Sequence, residues 1–134
     1  MKRTVHDTTE NGWIEPGEET EPVDMAPLKT IKDVITDKKG QDVVVMDISG
    51  QSSFADFFVN ATAANTRMLA TLREELEKRL TALGIPPRGV EGKVTSGWVL
   101  LDCGDIIVNL FLEEQRNTYQ IEKIWSDGTI VDVD

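Results

Sequence analysis

The chain is short of the residues that most readily carry chemistry alone: it has one cysteine, Cys103, and one histidine, His6. A single cysteine cannot close an intramolecular disulfide or by itself build a thiolate metal site, which excludes a disulfide scaffold and fits a reducing compartment. Cys103 is read as a free thiol. His6 has no second ligand or activated partner close by in sequence, so it reads as solvated rather than catalytic. Long hydrophobic runs are also missing. Val43 to Met46 and Trp98 to Leu101 are each four residues, against the roughly 20 that a membrane-spanning helix requires. The basic start Met1-Lys2-Arg3 is not followed by the apolar stretch of about 7 to 15 residues found in a secretory signal. The expectation is a cytoplasmic protein that does not enter a membrane.

Basic clusters are the next absence. The net charge is −10, and residues 1–27 hold seven acids and two bases, leaving 17 acids and 12 bases beyond, so each part carries −5. Binding nucleic acid through its phosphates needs clustered Lys and Arg, and neither part has them, which disfavours direct RNA binding. An acidic surface suits a basic protein partner, with charge raising the association rate more than the final affinity. The acidity can equally serve solubility alone.

What is present is enough for one core: 134 residues with 40% hydrophobic and 28% charged side chains read as a single folded domain. Residues 1–27 are polar, acidic and broken by Pro16 and Pro22, with too little apolar surface to offset ordering entropy, and are expected to be a disordered tail. The domain proper is assigned to residues 28–134. Leu28, Ile31, Val34 and Ile35 recur at helical spacing, with Gly40 as a stop signal. The stretch Asp42 to Ile48 reads as a buried strand, then a polar loop over Ser49–Ser53 and a second apolar strand at Phe57–Val59. Asn65 caps a long helix whose Leu69, Leu72, Leu76, Leu80 and Leu83 form one stripe opposite Arg73, Glu74, Glu77 and Lys78. Such a stripe can signal a coiled coil, but barely two heptads favour packing across a sheet.

Trp98–Asp102 and Asp105–Phe111 flank Cys103-Gly104, which reads as a hairpin with a two-residue turn. Glu113 to Trp125 reads as a final helix. The order helix, two strands, helix, about three strands, helix implies an α/β domain in which a mixed β-sheet is flanked by helices.

Several segments in order resemble the Iojap, or ribosomal silencing factor, family over roughly Leu28 to Trp125. They are Asp47-Ile-Ser-Gly-Gln-Ser-Ser-Phe-Ala-Asp-Phe-Phe-Val59, then Ala61-Thr62, Arg67 and Val90-Glu91-Gly92. Gly97-Trp98-Val-Leu-Leu-Asp102, Gly104-Asp105, Val108 and Phe111 follow, and then Arg116, Tyr119, Glu122 and Trp125. The sequence departs from the family pattern at Asn109, where a histidine is usual, at Phe57, where tyrosine is common, and at Ala64-Asn65, where Gly and Ser or Thr are frequent. The resemblance implies a homodimer with a fold distantly similar to nucleotidyltransferases. It also implies binding to large-subunit ribosomal protein fourteen on the face that meets the small subunit, which would block subunit joining and damp translation when nutrients are scarce.

Five residues are candidates for that contact. Trp98 either closes the core or stands as an aromatic anchor, with Tyr119 supporting it. Asp102 and Asp105 either bond the local backbone of their turn or pair with Lys and Arg of a basic partner. Asn109, in place of the histidine, loses a titrating group but keeps an amide able to hydrogen-bond a partner. Trp125 is placed in the core or at a dimer contact. The alternative is a degenerate metal-dependent nucleotidyltransferase. Those enzymes hold Mg²⁺ with Asp residues two apart on a strand, whereas here Asp56 is followed at that spacing by Phe58. No lysine-bearing phosphate loop follows a strand. No cofactor is expected. A general acidic adaptor for another basic protein fits the composition but lacks the family segments.

Overall fold

A computed structural model describes residues 2–4, 20–22, 25–50, 52–53, 55–124 and 129–131. Within the acidic N-terminal stretch, β1 (Lys2–Thr4) and β2 (Thr20–Pro22) pair antiparallel. The readings of His6 and, at the other end, of Trp125 fall outside the described residues.

Helix α1 (Ala26–Asp37) takes Pro27 into its first turn, where the missing N–H has no intrahelical partner to lose, and so begins slightly before the expected boundary at Leu28. It buries Leu28, Ile31, Val34 and Ile35, the spacing read from the sequence. The left-handed residue after the helix is Lys39 rather than Gly40. Next comes β3 (Gln41–Asp47), then β4 (Phe57–Ala63), whose residues are all buried. The second strand is more than twice its expected length: Asn60 and Thr62 look like a polar end in the sequence, yet both are inside.

Helix α2 (Thr66–Ala82) is capped by Asn65, whose Oδ1 accepts from the Met68 N–H at 2.9 Å. Leu69, Leu72, Leu76 and Leu80 are buried, while Leu83 caps the C-terminus and is 56% exposed, so the stripe is one leucine shorter than expected. The short β5 (Gly89–Glu91), β6 (Trp98–Asp102) and β7 (Ile106–Leu112) follow. The hairpin turn is displaced by one residue. Cys103 still pairs, its N–H donating to the Ile106 carbonyl at 2.9 Å, so the turn residues are Gly104 and Asp105, and Gly104 supplies the positive φ of 84°.

The expected final helix is two pieces, α3 (Glu113–Tyr119) and α4 (Ile121–Ile124), because Gln120 between them adopts a left-handed φ of 51°. A last short strand, β8 (Thr129–Ile130), pairs with β3.

Among the described residues the main sheet runs β5-β6-β7-β4-β3-β8. It is mixed: β4 and β7 are parallel, and the remaining pairs are antiparallel. The alternation of side chains along each strand gives two faces. Val45, Phe57, Val59, Ala61, Val99, Leu101, Val108 and Leu110 meet the apolar stripes of α1 and α2. Met46, Phe58 and Ile107 face the other way, with Ile48, Ala55 and Ile121 packed among them. That second face also carries Asn60, Thr62, Asn109 and Trp98. No helix among the described residues is long and apolar enough to cross a membrane.

The shortened stripe is testable by urea denaturation. Leu76→Ala removes a fully buried side chain and should destabilise the fold by about 2–5 kcal/mol, whereas Leu83→Ala should stay within roughly 0.5 kcal/mol of the parent.

Candidate partner-binding site

The five candidate residues do not form one cluster. Trp98 opens β6 and Asp102 closes it, about 13 Å apart at roughly 3.3 Å per residue. Asp102 and Asp105 sit where β4 and β7 begin, and Trp98 and Tyr119 sit where those strands finish.

At the first end the two aspartates serve their own chain. Asp102 Oδ1 accepts from the Gly104 N–H at 2.9 Å, the local bond that favours Asp in turns, and Oδ2 lies 3.6 Å from Arg88 across an exposed ion pair. The Asp105 carbonyl accepts from the N–H groups of Asp56 and Phe57 and so ties the hairpin to the start of β4. Cys103 is half-buried beside them. Burial, and secondarily the Asp102 carboxylate, push its thiol from 9.0 up to about 11. Among the described residues, no three of His, Cys, Asp or Glu gather into a group that could hold a metal ion.

The second end is built from the strands outward. Asn60 of β4 and Asn109 of β7 are register partners in the parallel pair, so their amides lie side by side. Asn109 Nδ2 donates to Asn60 Oδ1 at 3.0 Å, and the Trp98 indole N–H donates to Asn109 Oδ1 at 3.1 Å. Asn60 Nδ2 ends this row, buried and without a partner among the described residues. Asn109 is 1% exposed with both ends of its amide engaged, Nδ2 on Asn60 and Oδ1 beneath the Trp98 indole.

Trp98 is thus neither wholly core nor wholly free. Its ring packs on Phe111 with centroids 5.2 Å apart and on Tyr119 at 4.6 Å, both tilted. Tyr119 is 48% exposed. The pair forms one wall of a cleft of about 260 Å³ completed by Glu91, Gly92, Ser96 and Leu100. Gly92 is required there: its φ is +85°, and a Cβ would stand 2.2 Å from the Trp98 carbonyl oxygen. The cleft residues from β5 and the following loop were not singled out as site residues from the sequence, although Glu91 and Gly92 belong to one of the family segments. Leu100 could have been found from strand alternation, which puts it on the Trp98 face.

The family model described as "Ribosomal silencing factor during starvation" matches residues 22–134. The chain belongs to the ribosomal silencing factor family. The Bacillus subtilis ribosomal silencing factor is 30% identical over 107 residues, covering 80% of this chain and 91% of that protein. The Halalkalibacterium halodurans silencing factor is 32% identical over 107 residues, covering 80% and 92%. A mouse protein named for mitochondrial assembly of the ribosomal large subunit is 27% identical over 96 residues, covering 69% of this chain and 42% of its own length. A crystal structure of a Chromobacterium violaceum protein superposes with a TM-score of 0.74 at 28% identity, covering 78% of this chain and 88% of that one. A Bacillus halodurans structure gives a TM-score of 0.70 at 30% identity, covering 79% and 96%. From its family segments, this silencing factor places Glu91, Gly92, Trp98, Leu100 and Tyr119 around the cleft.

Two outcomes follow. Asn109→Leu deprives the Trp98 indole and Asn60 of their shared partner and should cost about 1–3 kcal/mol in urea unfolding, with faster exchange of the indole proton. Cys103 alkylation at pH 8 should run about 100-fold slower than for a thiol titrating at 9, because only the thiolate reacts; its rate should climb with pH until about 11.

Proposed function

We propose that this silencing factor is a steric repressor of translation: it docks on the large ribosomal subunit through large-subunit ribosomal protein fourteen and hinders joining to the small subunit. The action is cytoplasmic and makes or breaks no covalent bond. The observation that carries this reading is the Trp98–Tyr119 pair, in which a half-exposed tyrosine packs on a partly buried tryptophan held from beneath by a buried amide. Aromatic side chains fixed at a concave, partly apolar surface are the usual centre of a protein interface, because they bring large contact area with little ordering cost. Glu91 on the cleft wall and a net charge of −10 favour a basic partner, as ribosomal proteins are. Family membership supports a ribosomal target, and the mouse relative's name supports the large subunit.

The residues contribute unequally. Trp98 is the anchor, Tyr119 its outer wall, and Asn109 a support from within. Asp102 and Asp105 stand at the other end of the strands, where exposed ion pairs with a basic partner would add about 0–1 kcal/mol each. Asp102 is partly committed already to Arg88 and its own turn. A homodimer belongs to the same reading.

Subunit joining followed by light scattering tests it. The protein should slow association when preincubated with large subunits, and Trp98→Ala should raise the concentration required by about 30-fold, the equivalent of a loss of about 2 kcal/mol at a hot spot. Asp105→Ala should shift it less than about fivefold. Unchanged joining with the parent protein would refute the repressor reading. Full potency of a folded Trp98→Ala protein would refute the anchor.

A further inference from the structure

The Trp98–Tyr119 cleft needs α3 on the second face of the sheet, where its apolar contacts are the Tyr119 ring on Trp98 and, just past the helix, Ile121. None of the seven residues of α3, all of them described, is buried. The helix starts directly from β7 and stops at the left-handed Gln120, a residue type with no intrinsic preference for that conformation.

One side chain spans the gap. Arg116, only 14% exposed, reaches from the middle of α3 to three other elements. Its Nη1 donates to the Thr62 hydroxyl on β4 at 2.9 Å and to the Asp42 carbonyl on β3 at 2.6 Å, and its Nε donates to Glu122 Oε1 on α4 at 2.8 Å. Nη2 also meets Glu122. The fork geometry of guanidinium allows all of these at once, which lysine's single ammonium does not. The Asp42 carbonyl is turned toward it at a register shift in β3, where Asp42 itself has a left-handed φ of 51°. Two non-glycine residues in that sparsely populated region, Asp42 and Gln120, thus line the same hollow as the guanidinium.

We propose that Arg116 is the positioning residue of the partner-binding cleft: by locking the break between α3 and α4 against β3 and β4, it sets the Tyr119 ring on Trp98 before any partner arrives. This rests on the docking role proposed for the cleft, but its structural half stands apart from that role. Arg116 touches neither aromatic residue of the pair by any bond described; it acts through the backbone of α3. Thr62, which looks like an unremarkable strand residue in sequence, becomes part of the same device. A pre-placed tyrosine need not be ordered on binding, and losing that placement weakens affinity by roughly three- to tenfold.

The test uses the full chain and nuclear Overhauser contacts between the Trp98 indole and the Tyr119 ring, the indole resonance being assigned by its loss in Trp98→Phe. Arg116→Ala should abolish these contacts while the indole N–H, bonded to Asn109 beneath, keeps its protection from exchange. Arg116→Lys should restore them in part. Thr62→Val, which removes one acceptor from a strand that welcomes β-branched residues, should weaken them and guards against a fold failure in the alanine variant. Contacts of parental strength in both Arg116→Ala and Thr62→Val would overturn the proposal. Binding to isolated large subunits is read in parallel and should fall three- to tenfold with Arg116→Ala. Lost contacts with unchanged binding would overturn the link between placement and docking. If the parental protein fails to bind large subunits while Arg116→Ala still loses the contacts, the docking reading falls and the positioning role of Arg116 remains.

Discussion

The parallel pairing of β4 with β7 is the constraint on which the rest of the molecule depends. It joins residues 57–63 to residues 106–112 along their whole lengths, in the middle of the sheet, with both strands buried almost throughout. A parallel pair cannot be closed by a tight turn, so the intervening chain must leave the sheet and return, and α2 makes that journey while covering one face with its leucines. The same pairing puts Asn60 beside Asn109 on the opposite face. A slip of β7 by one residue would turn Asn109 into the α1–α2 core and send Val108 outward, away from its place beside Val59.

That amide row is expensive in an apolar sheet, since a buried polar group must keep its hydrogen bonds or lose stability. Here it runs from the Trp98 indole through Asn109 to Asn60, whose Nδ2 has no partner among the described residues. What it provides is a defined orientation for an aromatic ring at the surface. The acceptor under the indole is an asparagine amide, which does not titrate in the physiological range.

Much of the fold was legible in the sequence because it rests on periodicity. The spacing of Leu28, Ile31, Val34 and Ile35 and of Leu69 to Leu80 announces two helices, Asn65 announces a cap, and glycine at 104 announces a hairpin. What escaped reading was decided by tertiary partners. Asn60 and Thr62 look like a strand end because polarity is visible in sequence and the guanidinium above Thr62 is not. The break at Gln120 carries no glycine or proline, since it is imposed by Arg116 bonding to β3, β4 and α4. Leu83 continues a stripe that the helix itself does not continue inward. Strand alternation puts Trp98, Leu100 and Asp102 on one face, and the strand rise sets Trp98 and Asp102 about 13 Å apart, but neither says that Asp102 already caps its own turn. For the site, the aromatic pair was recognisable by residue type and family segment. The inward role of Asn109 required the register of β4 against β7.

In the proposed function, a two-faced sheet, an aromatic pair placed in advance on its second face and an acidic surface serve to occupy a place on the ribosome. Such a mechanism demands a specific surface on one subunit and no turnover. The most direct measurement is co-sedimentation of the purified protein with isolated large subunits at low and physiological salt, with small subunits as the control. Saturable binding to large subunits alone, retained at physiological salt, is the predicted result. Absence of binding at both salt concentrations, or equal binding to both subunits, would contradict it.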